Sequence, residues 1–130
     1  MKSRFKNSVS NILFAVPLLC LSNITQSQTD PANLDLFCSG VLLRTSGLIS
    51  QNINRYSGDA RSQLTQVSSH LENNGNLLMM RGMQRGGKAE SANTGGGWAN
   101  NKVGNNVLVI LQKGTEQNST VMDCLRRTSQ

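Results

Sequence analysis

The stretch DARSQLTQVSSHL, residues 59–71, places apolar side chains at Ala60, Leu64, Val67 and Leu71. Steps of four, three and four return each of them to one side of a helix, and every intervening position is polar. Asp59 is a suitable N-terminal cap, and Asn73-Asn74-Gly75 has the composition of a helix end. A helix with one apolar stripe must bury that stripe against other elements, so the rest of the chain is read for partners of the same kind.

Upstream, Asp30-Pro31 offers a cap followed by proline at the first helical position. Leu34, Phe37, Cys38, Val41, Leu42, Leu48, Ile49, Ile53 and Tyr56 then recur at three- and four-residue steps as far as Ser57-Gly58. This predicts an amphipathic helix of about 26 residues, in which Gly40 and Gly47 are either weak points or sites of close packing.

Downstream, Asn76 to Met83 either begins a short third helix or prolongs the second past Gly75, and Gly86-Gly87 ends it. The segment GGKAESANTGGG, residues 86–97, has no large apolar side chain to bury and is expected to be a mobile surface loop. Trp98, Val103, Val107, Ile110 and Leu111 resume helical spacing toward Gly114. The β-branched run from Val107 to Leu111 also suits a buried strand, leaving 103–113 open between helix and strand, but no second strand is present to pair with it. A last short helix from Ser119 to Arg127 would set Val121, Cys124 and Leu125 on one face. The expected fold is all-α, a small bundle of four to five helices.

The first 27 residues have a different grammar. Lys2, Arg4 and Lys6 precede the apolar run Ile12 to Leu21, which is about ten residues long and contains Pro17, whereas a bilayer-spanning helix needs about twenty. This pattern predicts a secretory signal peptide over 1–27, cut after Ser27 or, alternatively, after Ser22. Cys20 invites a lipid-attachment reading, against which stands the bulky Leu19 before it. Residues 28–130 would then form one small domain, and loss of the three leader cations lowers the net charge from +6 to +3.

Removal of the leader leaves two cysteines, Cys38 and Cys124, in a chain destined for an oxidising compartment. They are expected to form a disulfide between the first and last helices. A loop of about 87 residues closed in this way gains roughly 4 to 5 kcal/mol on the chain-entropy argument. The aliphatic core is thin, so the staple is expected to matter.

The chemistry available is limited. One histidine, His70, with Glu72 two positions on, does not build a triad or a zinc site, since side chains two apart on a helix do not face each other. No serine lies in a G-x-S-x-G frame. The segment RGMQRGGK, residues 81–88, gathers Arg81, Arg85 and Lys88 among glycines but lacks the phosphate-loop frame and a preceding strand. No aromatic side chain is interleaved with these cations for base stacking, so no specific nucleic acid partner is expected. Asn118-Ser119-Thr120 matches a glycosylation acceptor. Met79, Met80 and Met83 are soft-ligand candidates for copper, yet no His or Cys joins them; they suit core filling or an adaptable contact surface.

The functional expectation is an exported, periplasmic or secreted, non-enzymatic protein-binding or accessory protein of the chaperone or inhibitor kind, with no cofactor. Met79, Met80, Arg81, Met83, Arg85 and Trp98 are its candidate protein contacts, because methionine, arginine and tryptophan are enriched at interfaces. One alternative is a small periplasmic enzyme or metal-handling factor using His70 with Glu72 or Glu90, or the Met79–Met83 cluster. Another is a structural component of an envelope assembly.

Overall fold

Asp30 accepts a hydrogen bond on its side chain from the Ala32 backbone N–H at 3.1 Å, and Pro31 occupies the first turn, so the first helix starts where the cap and proline place it. The structure, a computed structural model, describes residues 30–130; the expected signal peptide and Cys20 lie outside the described residues. Helix α1 runs Pro31–Asn52 and is followed by a 3-10 turn, Ile53–Arg55, so the 26-residue expectation divides into an α and a 3-10 part.

Helix α1 is the centre of the bundle. Leu36, Val41, Leu42 and Ile49 are buried, and so are the polar residues Asp35, Ser39 and Thr45. A helix buried on most of its circumference needs a neighbour on each side. One neighbour is α2, Gly58–Gln84, and the other is α3, Ala89–Lys102.

Helix α2 is one helix of 27 residues that passes straight through Gly75. Its buried positions are Leu64, Leu71 and Leu78, seven apart, with Gly75 and Gly82 four residues after the last two. Against α1 these glycines act as sockets. A Cβ added at Gly75 would lie 2.7 Å from Leu43 Cγ, and one at Gly82 would lie 2.7 Å from Leu36 Cγ. The Asn-Asn-Gly stop signal is overridden because the glycine is the space that Leu43 enters. Further along the same seam, the Ser46 and Ser68 hydroxyl oxygens are 2.9 Å apart. Gly86, with φ +85°, turns the chain out of α2 as expected.

The segment expected to be a mobile loop at 86–97 is corrected by the structure: from Ala89 onward it belongs to helix α3. Its buried surface is backbone. A Cβ at Gly95 would collide with the Phe37 carbonyl group, and one at Gly40 would collide with the Ala92 carbonyl group, so α1 and α3 touch main chain to main chain. Three consecutive glycines cost a helix about 3 kcal/mol relative to alanine. Close approach, with Ala99 fully buried in the core, offsets that cost.

Helix α3 ends at Lys102, and Val107–Leu111 forms a separate 3-10 turn that buries Val107, Val109 and Ile110. The open choice for 103–113 therefore resolves to neither a continued α-helix nor a strand. Thr115 caps α4, Glu116–Arg126, by accepting from the Asn118 N–H at 3.0 Å. The Asn118 side-chain amide donates to the Ile110 carbonyl at 2.6 Å, tying α4 to the 3-10 turn. Cys38 and Cys124 form the disulfide between α1 and α4, with their Cα atoms 5.1 Å apart. Among the described residues the architecture is all-α, with four α-helices and a covalent link between the first and last of them.

Candidate functional site

On an α-helix successive residues turn by about 100°, and this separates the sequence RGMQR and its methionines into two sites on opposite flanks of α2. Leu71, Leu78 and Gly82 face the core. Arg81 and Arg85 lie on one shoulder of that buried face, and Met79 and Met83 lie on the other. Met80 points away from the core, with Leu77 between it and the arginine side.

The arginine shoulder meets Asp35. This aspartate is fully buried near the start of α1, and its carboxylate receives two hydrogen bonds from Arg81, Nε to Oδ2 at 2.8 Å and Nη2 to Oδ1 at 2.9 Å. Arg127, in the 3-10 turn Arg127–Ser129 after α4, donates to Oδ1 from Nε at 3.1 Å and from Nη2 at 2.9 Å. Arg85 Nη1 stands 3.6 Å from Oδ2. Burial alone would push the Asp35 carboxyl up. The hydrogen bonds from Arg81 and Arg127, with their charges, outweigh it and hold the carboxyl below the ordinary aspartate value. The same carboxylate raises the Arg81 guanidinium above its usual value.

This cluster and the disulfide are adjacent ties of one seam. Asp35 is three residues before Cys38, and Arg127 is three residues after Cys124, so ion pair and sulfur bridge fasten neighbouring turns of the antiparallel α1–α4 contact. Arg81, expected as a protein contact, is instead spent inside the molecule: it also donates to the Arg127 carbonyl at 2.8 Å. Asp35 is not among the residues expected from the sequence. Its signal was a lone acid among Leu34, Leu36, Phe37 and Cys38, where a charge requires a partner.

The methionine flank is different. Met80 is 57% exposed, Met83 53%, Leu77 46% and Met79 37%, all on the last two turns of α2. Together they form one outward arc of about 160°. They are surface, so the core-filling reading of the methionines does not hold. Met79 also walls an open groove of about 510 Å³, floored by Gly40, Leu43 and Arg44 of α1 and closed on the far side by Asn93, Gly97 and Asn100 of α3. Arg44 Nε donates to Asn100 Oδ1 across this floor at 2.6 Å.

Trp98 packs half-buried against the core and does not line the groove. His70 is exposed, and its ring Nδ1 lies 3.2 Å from the Asn74 amide nitrogen. Among the described residues no group of three or more His, Cys, Asp or Glu side chains could hold a metal ion. No described helix is long and apolar enough to cross a membrane. Comparison with known proteins adds no relative: no protein-family model matches the chain, and neither a curated protein nor a solved structure does.

Proposed function

We propose that this chain is an exported, non-enzymatic binding protein that engages another protein through the exposed apolar arc of α2 and the groove beside it. The observation that carries this reading is the arc itself: three methionines and a leucine, each more than a third exposed, on two consecutive helical turns. Large apolar side chains gathered in one patch mark interaction sites, whereas single exposed ones are ordinary. Thioether side chains adapt to differently shaped partners because they are unbranched and polarisable. The complementary surface on the partner is a helix or strand offering aliphatic side chains to the arc. The Cys38–Cys124 bond supports the exported part of the reading, since disulfides persist in oxidising compartments and are rare in a reducing cytosol.

The test is purification of the tagged chain from its native envelope after crosslinking from position 76, an exposed site on the same arc, in an otherwise wild-type chain and in a Met80→Glu/Met83→Glu variant. Both sites are surface positions, so the variant should keep its melting temperature within a few degrees. One stoichiometric protein partner is expected with wild type, bound at least about tenfold more weakly by the variant, as for loss of an interface hot spot. Recovery of no partner, or of the same partner in undiminished amount by the variant, contradicts the proposal.

A further inference from the structure

The Asp35 cluster holds more positive charge than its internal partner can use. Oδ1 already accepts from Arg81 Nη2, Arg127 Nε and Arg127 Nη2, and Oδ2 accepts from Arg81 Nε. Arg81 is engaged at all three nitrogens, for Nη2 also reaches the Arg127 carbonyl at 2.8 Å and Nη1 the Gln130 carbonyl at 3.4 Å. Arg85 is not. Its guanidinium approaches the saturated carboxylate only to 3.6 Å, makes no hydrogen bond to another side chain among the described residues, and is 51% exposed. Three guanidinium groups thus share the one carboxylate of Asp35, which is sealed from water, and among the described residues no second acidic side chain pairs with them, a surplus of two positive charges.

We propose that Arg85 and Arg127, positioned by the buried Asp35–Arg81 pair, form a binding site for a phosphoryl oxyanion. The two guanidinium groups flank one carboxylate, with Arg85 Nη1 3.6 Å from Oδ2 and Arg127 Nη2 2.9 Å from Oδ1; Arg127 spends Nε and Nη2 on Asp35 and the Pro31 carbonyl and offers Nη1 to an outside oxyanion. Arginine suits this task because its planar fork presents paired donors to oxyanions and stays charged at every physiological pH. A phosphate monoester fits better than a carboxylate because its second charge matches the surplus and its extra oxygen can serve Arg85 while the others face Arg127. The site is on the shoulder of α2 opposite the groove, so it is independent of the methionine arc.

Titration of the full chain with inorganic phosphate at pH 7.5 and constant ionic strength, read on the arginine Nε–Hε resonances, tests this. Saturable shifts at Arg85 and Arg127 are expected with phosphate and not with chloride. Arg85→Gln should weaken binding about tenfold, as for loss of a charge-assisted hydrogen bond, with the melting temperature unchanged within a few degrees. Arg61→Gln, on an exposed arginine whose side chain reaches Asn54 at 3.4 Å, should bind as wild type does. Vesicles carrying phosphatidic acid, against phosphatidylcholine alone, identify the source. Retention on the former assigns the site to a lipid headgroup, and phosphate binding without retention assigns it to a free phosphate compound. Absence of a saturable shift up to tens of millimolar phosphate, or equal affinity in Arg85→Gln, overturns the proposal.

Discussion

Asp35→Ala is expected to destabilise the fold by about 3 to 5 kcal/mol, the range found when one member of a buried ion pair is removed and its partners stay behind. Here two partners stay. Arg81 and Arg127 would keep their guanidinium groups at 18% and 20% side-chain exposure with no carboxylate to receive them. For a domain of this size the melting temperature should fall by roughly 15 to 25 °C. Arg85→Gln, touching the same carboxylate from a half-exposed position at 3.6 Å, should fall by no more than a few degrees. The contrast between two substitutions around one carboxyl group separates a buried tie from a surface contact.

The acid limb of stability follows from the same group. The folded Asp35 carboxyl lies below its unfolded value of about 3.9, so its contribution is complete above about pH 4. It is lost as pH falls through the lower, folded value, where protonation releases Arg81 and Arg127. Urea midpoints of wild type and Asp35→Ala should therefore be furthest apart near neutral pH and converge in acid. A gap that stays constant down to pH 2 would contradict this role.

Cys38→Ala/Cys124→Ala is expected to cost about 4 to 5 kcal/mol, from release of an unfolded-state loop spanning a sequence separation of 86 residues. That corresponds to a fall of roughly 20 °C in melting temperature. The loss should be felt first by α4, which is short and owes its position to this bond and the Arg127–Asp35 pair one turn away. Because both ties fasten the same seam, combining the double cysteine variant with Asp35→Ala should give a non-additive total, measurable in a double-mutant cycle. Strict additivity, or a cysteine variant that melts within a few degrees of wild type, would show that α4 is held by something else.

Much of this architecture is legible in the residues, for identifiable reasons. Helix α2 shows itself through Leu64 and Leu71 because one face is buried and the other wet, so burial leaves a period in the side chains. The disulfide follows from counting cysteines once the leader is set aside. The methionines are harder. Residues 77–83 contain apolar side chains on nearly every bearing, and only the extension of the Leu64–Leu71 stripe to Leu78 shows that Met79, Met80 and Met83 face outward.

Two features escape period counting altogether. Helix α3 buries its main chain, and Gly95 leaves no apolar signature when its packing partner is the Phe37 carbonyl. Hydrophobicity was the wrong quantity for 86–97; smallness at Ala92, Gly95, Gly96 and Ala99 was the informative one, and it repeats at three- and four-residue steps. Asp35 escapes because a charge on an apolar face interrupts a pattern, although three arginines elsewhere in the chain complete it.

The bundle depends most on α3 lying main chain against main chain on α1, a contact that also closes one wall of the groove. Gly95→Ala and Gly97→Ala test it within one turn of one helix. At Gly95 a Cβ meets the Phe37 carbonyl group, whereas at Gly97 it meets nothing within 4 Å. Gly97→Ala should therefore raise stability by about 0.5 to 1 kcal/mol through helix propensity, and Gly95→Ala should lower it by at least about 1 to 3 kcal/mol through overpacking. Thermal melts of the two variants should shift in opposite directions, and two small shifts of the same sign, as a mobile loop would give, would contradict the structure of this bundle.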